Sequence, residues 1–139
     1  MHSDELLERF IRSEDTLWVH KGTRPIFRSR KERLVPLLEY INAFVPRIKG
    51  VTVFDRVVGN AATLLLKKAL CLKVYSPVAS QVAVHSLEKF GINYHFSKIT
   101  PCIVEGNGIC SMEKLSVGKT PDDFYEAVKG LALEGVGTK

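Results

Sequence analysis

The sequence predicts an α/β fold, a mixed sheet of about five strands that opens with an antiparallel hairpin and carries helices on both faces. Three observations predict it. Beyond the first thirty or so residues, short β-branched apolar runs alternate with segments of helical periodicity, the order that builds a largely parallel sheet. Two β-prone runs flank Lys21-Gly22-Thr23, where Gly22 supplies the backbone freedom of a tight turn. A chain of 139 residues, 45% hydrophobic and 25% charged, has the size and balance of one packed domain.

Taken in order, Ser3 before Asp4 and Glu5 caps a helix of about ten residues with Leu6, Leu7, Phe10 and Ile11 on one face. Thr16 to His20 and Pro25 to Arg28 form the hairpin; Pro25 lacks an amide donor and belongs at a strand start or edge. Apolar residues at 34, 37, 38, 41 and 44 predict a helix from about 35, with Pro36 in its first turn. Val51 to Phe54 reads as a buried strand after Pro46 and Gly50. Val57 to Leu70, apolar over most of its length, reads as a helix buried on more than one side.

Val74 and Tyr75 predict another strand, and Ser76 and Pro77 the cap and first turn of a helix that runs through Phe90 and stops at Gly91. Tyr94 to Ile99 is the last strand. Cys110 to Leu115 predicts one helical turn inside a glycine-containing segment, Thr100 to Gly118. Thr120, Pro121 and Asp123 open a closing helix with Phe124, Val128 and Leu131 on one face, and residues 134–139 read as a flexible tail.

Several function classes are set aside by composition. No run reaches the roughly 18 apolar residues of a membrane helix, and Met1 to Glu8 lacks the basic and apolar regions of a signal peptide, so the expectation is a cytoplasmic protein without membrane contact. Cys71, Cys102 and Cys110 cannot all pair with one another, and free thiols are expected. The net charge of +5 is partly local, because Arg24, Arg28, Arg30, Lys31 and Arg33 crowd ten residues. Phe27 is the one aromatic residue within that cluster, which argues against a stacking surface, and no nucleic-acid partner is expected.

The hairpin Thr16 to Arg28, the block Val53 to Ala62 and the stretch Gly108 to Lys114 resemble a bacterial domain-of-unknown-function family placed in the cytidine deaminase-like superfamily. The resemblance implies a three-layer α/β/α arrangement. In deaminases of that fold a His or Cys with a Glu two residues on, and a Pro-Cys-x-x-Cys, hold zinc and activate water. The corresponding stretches here, Ser29 to Val35 and Asp55 to Gly59, contain neither His nor Cys, and Cys102 and Cys110 are too far apart for a short chelating pair. No metal and no zinc-dependent deaminase activity are therefore expected.

Two stretches carry the candidate chemistry. Asp55 to Ala62 lies where a buried strand gives way to a buried helix, the place where α/β sheets commonly receive ligands. Helix amides there favour an anion, Gly59 with Ala61 and Ala62 lets a phosphate approach the backbone, Asp55 suits a ribose hydroxyl and Arg56 a phosphate, so that Asp55, Arg56, Gly59, Asn60 and Ala61, with Lys114, are the candidate ligand-binding residues. A nucleotide or ADP-ribose-like ligand is expected, although capping by Asp55 and close packing of the small residues explain the same pattern. The second stretch, Glu105 to Lys114, brings Cys110 ahead of a short helix, with Glu113 as an acid or base and Lys114 as a nearby positive charge. It motivates the alternative of an enzyme that uses Cys110, or Asp55 with Glu113, on a nucleotide-derived substrate. An oligomeric interaction protein that meets its partner through the basic cluster or hairpin edge is a further alternative.

Overall fold

A computed structural model describes residues 3–105, 108–109 and 111–131. The chain forms α1 (Ser3–Arg12), β1 (Leu17–Lys21), β2 (Arg24–Ser29), α2 (Val35–Phe44), β3 (Val51–Asp55), β4 (Val57–Val58), α3 (Asn60–Lys68), β5 (Cys71–Ser80), α4 (Gln81–Phe90) and β6 (Asn93–Thr100). A small hairpin, β7 (Val104–Glu105) and β8 (Gly108–Ile109), and two helices, α5 (Ser111–Ser116) and α6 (Pro121–Val128), follow. The result is an α/β fold with a mixed six-stranded sheet and, among the described residues, six helices.

β1 pairs antiparallel with β2 on one side and with β3 on the other, with Leu17 opposite Asp55 and Trp18 opposite Phe54. β3 and then β4 run parallel to β5 along one of its edges, and β6 runs parallel along the other, so that β2 and β6 are the outer strands. Strand side chains alternate between faces, and the core divides accordingly. Val51, Val53 and Val74 pack with α2, α3, α4 and α6, whereas Phe54 and Tyr75 meet Leu7 and Phe10 of α1 on the opposite face. Aromatic rings continue that second cluster: Phe54 stacks on Tyr75 at 4.9 Å and meets Trp18 edge-on at 5.8 Å.

The structure departs from the sequence expectation in two places, and both shape the site. Val57 and Val58 are not the start of a helix; they form β4, in register with Val78 and Ala79 of β5, and α3 begins only after Gly59. Two β-branched residues beside a ten-residue central strand pack well on its pleated surface, whereas a helix would restrict their side chains. Likewise Ser76 and Pro77 are not the opening of α4 but lie inside β5. Pro77 falls in the gap between β3, which pairs β5 as far as Tyr75, and β4, which resumes at Val78, so its missing amide interrupts no ladder there. The cap of α4 is Ser80, whose hydroxyl accepts from the Ala83 amide at 3.1 Å, and Gly91 at φ +73° ends the helix.

The closing helix follows its expected grammar: Thr120 Oγ1 accepts from the Asp123 amide at 3.1 Å, Pro121 occupies the first turn, and Phe124 and Val128 are buried.

Candidate functional site at the β3–α3 junction

The chain leaves β3 at Asp55, turns through Arg56, runs briefly as β4 and enters α3 at Asn60. Around this junction lies a cavity of about 320 Å3, lined by Asp55, Arg56, Val57, Gly59, Ala61 and Ala62 from the junction, Thr16 and Glu32 to Leu34 from the preceding loops, and Ile103, Met112 and Glu113 from the segment after β6. Its volume lies near the lower end of the range of about 300–1,000 Å3 typical of ligand pockets.

The amides at the start of α3 already hold an anion, and it belongs to the chain itself. Glu113 on α5 accepts from the Asn60 N–H through Oε1 at 2.8 Å and from the Ala61 N–H through Oε2 at 3.0 Å. A carboxylate bridging two unpaired first-turn amides is favoured both by the charge-assisted hydrogen bonds and by the helix dipole. Gly59 makes the approach possible: a Cβ at this position would lie 2.4 Å from Glu113 Oε2 and 2.5 Å from its carboxyl carbon. The backbone of Gly59, at φ −105°, is open to any residue, so glycine serves here by its lack of a side chain.

Asn60 anchors the same contact from the other side. Its Nδ2 donates to Ser116 Oγ at 2.9 Å, and its Oδ1 accepts from Ser86 Oγ at 2.7 Å, tying α3 to α5 and α4. Ser116 is fully buried and in turn donates to the Glu113 carbonyl at 2.7 Å. Asn60, Ala61, Gly59 and Glu113 thus belong to one construction in which α5 docks on the first turn of α3.

Arg56 has a different setting. Its guanidinium donates to the carbonyls of Ile11 at 2.9 Å, Phe10 at 2.9 Å, Ser13 at 2.6 Å and, through Nε, Asp15 at 3.0 Å. Four of its five donors therefore satisfy carbonyls at and beyond the end of α1, and its central carbon lies 4.6 Å from the centre of the Phe10 ring. The side chain expected to meet phosphate ties α1 to the sheet instead.

Asp55 is buried, with 8% of its surface exposed, and lines the cavity. Burial pushes its carboxyl up to about 7, although hydrogen bonds from the Arg56 and Val57 amides and the Arg56 charge pull in the other direction. One of those bonds, from the Arg56 N–H to Oδ1, measures 2.8 Å. A carboxyl that exchanges its proton near neutrality inside a cavity is able to accept or donate a hydrogen bond, and to act as acid or base.

Lys114 is exposed on α5, and Cys110 lies outside the described residues. Cys102 is exposed, whereas Cys71 is buried and its thiol is pushed up to about 12 by burial. Among the described residues no group of three or more His, Cys, Asp or Glu side chains is placed to hold a metal ion. Segments 29–35 and 55–59 contain no His or Cys. No described helix is long and apolar enough to cross a membrane.

Sequence reasoning found Asp55, Gly59, Asn60, Ala61 and Glu113 but not their connection, since Glu113 is more than fifty residues from the helix it caps. The apolar wall from Leu34, Ile103 and Met112 was also missed; these residues come from three separate segments and share no pattern.

A crystal structure of a DUF1893 family protein from Thermotoga maritima is similar, with a TM-score of 0.80 and 25% sequence identity over 92% of this chain and 90% of that one. No curated protein matches the chain. The model of the family described as Domain of unknown function (DUF1893) matches residues 6–131, and the chain belongs to that family.

Proposed function

We propose that this protein binds a nucleotide in the β3–α3 cavity, with the phosphate taking the place of the Glu113 carboxylate on the amides of Asn60 and Ala61. The observation that carries the reading is that carboxylate: the seat is chemically fitted to an anion, is held by an anion now, and opens beside a cavity of about 320 Å3. Asp55 supplies a hydrogen-bonding group for the sugar or base, and Leu34, Val57, Ile103 and Met112 supply apolar surface. The volume suits a mononucleotide, and an ADP-ribose-like ligand would extend beyond the cavity mouth. The order of helix, hairpin and alternating helices and strands supports a cytidine deaminase-like arrangement for this site, without the zinc ligands of that fold.

Thermal-shift and calorimetric titration of nucleoside monophosphates and diphosphates against the wild type and Glu113→Gln test the proposal. Removing the resident charge lowers the competition, so the variant binds a phosphate-bearing ligand more tightly while matching nucleosides lose this advantage. Absence of stabilisation of either protein by any nucleotide at millimolar concentration counts against it.

A second reading rests on Asp55. A buried carboxyl with a pKa of about 7 in the same cavity as Glu113 is suited to general acid–base chemistry on a bound nucleotide. Turnover of a bound nucleotide that is lost in Asp55→Asn, with binding retained, supports it.

A further inference from the structure

The N-terminal end of the sheet, opposite the cavity, carries a second surface. Lys21, Arg24, Arg47 and Lys49 surround a shallow depression of about 550 Å3 with Ile26 and Ile48 at its floor and, among the described residues, no carboxylate in its lining. Lys21 Nζ donates to the Lys49 carbonyl, and the Arg47 guanidinium to the Ala43 carbonyl, so backbone oxygens hold these side chains in place. None of the four cations forms an ion pair with a carboxylate among the described residues. The contrast is with Arg28, Arg30 and Lys31 further along the hairpin, which meet Asp15, Glu14 and Glu39.

Ile26 also lines a second groove, of about 700 Å3, on the α1 side of the hairpin. There Arg9 and Arg28 flank Trp18 and His20, whose rings are stacked at 5.8 Å and 13°. The two depressions therefore meet around β2, an outer strand with no neighbour on its far side among the described residues. The fold thus joins what the sequence keeps apart: cations from β1, β2, the α2–β3 loop and α1, and an indole next to them.

We propose that this edge binds single-stranded nucleic acid, with phosphates along Lys21, Arg24, Arg47 and Lys49 and a base against Trp18. Four uncompensated cations around one depression repel one another and match a chain of phosphates. The adjoining groove is lined by half-buried Trp18, the ring on which a splayed base would stack and which a duplex, its bases hidden, would not engage. An anionic membrane fits less well, because Ile26 and Ile48 are half-buried at the floor of the depression and Leu72, exposed beside Gly50, is a single apolar side chain where insertion needs an apolar face.

Fluorescence anisotropy with a labelled 12-nucleotide single strand, its duplex, and phosphatidylglycerol vesicles as competitor tests the proposal. With four phosphates contacted, affinity for the single strand falls about 50-fold between 50 and 200 mM salt. Arg24→Glu with Arg47→Glu, both at exposed positions, weakens binding at least tenfold with the circular dichroism spectrum unchanged. Lys89→Glu with Lys98→Glu, an equal charge change on exposed residues of α4 and β6, alters it less than twofold. Trp18 is the only tryptophan, so its fluorescence is quenched as the strand binds. No saturable binding at 50 mM salt, equal losses in the two double variants, equal affinity for the duplex, unquenched Trp18, or association with vesicles alone would each overturn it.

Discussion

Glu113 and Gly59 share one small volume: the carboxylate of the first occupies the space that a side chain on the second would fill, 2.4 Å from the position of its Cβ. Gly59→Ala therefore expels the carboxylate from the Asn60 and Ala61 amides and costs about what a charged helix cap contributes, on the order of 1–2 kcal/mol. Glu113→Ala costs a similar amount. Because both changes remove the same contact, Gly59→Ala in the Glu113→Ala background costs much less than it does alone, and a double-mutant cycle from denaturant unfolding measures the coupling.

Asp55 gives stability a pH dependence of definite sign. Its folded pKa of about 7 lies above the 3.8 ordinary for an aspartate, so between these values the folded state holds a proton that the unfolded state has released. Stability contributed by this group is complete below about pH 4 and falls as pH rises towards 7, by up to about 4 kcal/mol if the full shift is expressed. Asp15 acts in the opposite sense: burial raises its pKa, but hydrogen bonds from Trp18 and Arg30 and the charges of Arg28 and Arg30 outweigh burial, so its contribution is lost as pH falls. Comparing the wild type with Asp55→Asn isolates the first effect, and the difference in unfolding free energy between pH 5 and pH 8 shrinks in the variant.

Arg56 holds carbonyls at and beyond the end of α1, and its replacement is felt in that helix. Arg56→Met keeps much of the aliphatic stem but takes the guanidinium from the Ile11, Ser13 and Asp15 carbonyls, while the Phe10 carbonyl keeps the Ser13 amide and hydroxyl, at about 2–3 kcal/mol. Hydrogen exchange quickens across α1 before it does in β5. Arg56→Lys recovers only part of the loss, since an ammonium cannot span the same carbonyls.

Tyr40 is fully buried, and its hydroxyl has no hydrogen-bond partner among the described residues. Removing an unpaired buried polar atom without changing the ring is neutral or stabilising, so Tyr40→Phe leaves the melting temperature unchanged or raises it by the equivalent of up to about 1 kcal/mol. The ring itself stacks on Phe44 at 4.9 Å and is needed; Tyr40→Ala costs several kcal/mol.

Local signals carried the sequence reading as far as local interactions decide the structure. Thr120-Pro121 and Gly91 mark helix ends through their own backbones, and Gly22 at φ +62° marks the hairpin turn. The reading failed where a neighbour in space decides. Ser76-Pro77 has the grammar of a helix start, but β3, β4 and β6 draw the segment into a strand, and the cap falls to Ser80. At the junction the sequence marks Gly59, Asn60 and Ala61 as residues an anion can approach, while the helix expected from Val57 starts at Asn60. That the anion is Glu113, and that Arg56 faces α1, depends on contacts across more than forty residues, for which a single sequence has no marker. The aromatic residue beside the basic edge was missed similarly: Trp18 reaches it from β1, outside the charged cluster of β2.

The backbone amides of Asn60 and Ala61 report on the anion seat directly, and their nitrogen–proton resonances during titration with nucleoside monophosphates give the sharpest measurement. Saturable shifts of both, tighter in Glu113→Gln than in the wild type and absent with the matching nucleosides, are the expected result. Resonances that stay fixed at millimolar nucleotide in both proteins would mean that the seat serves only Glu113, as a helix cap and nothing more.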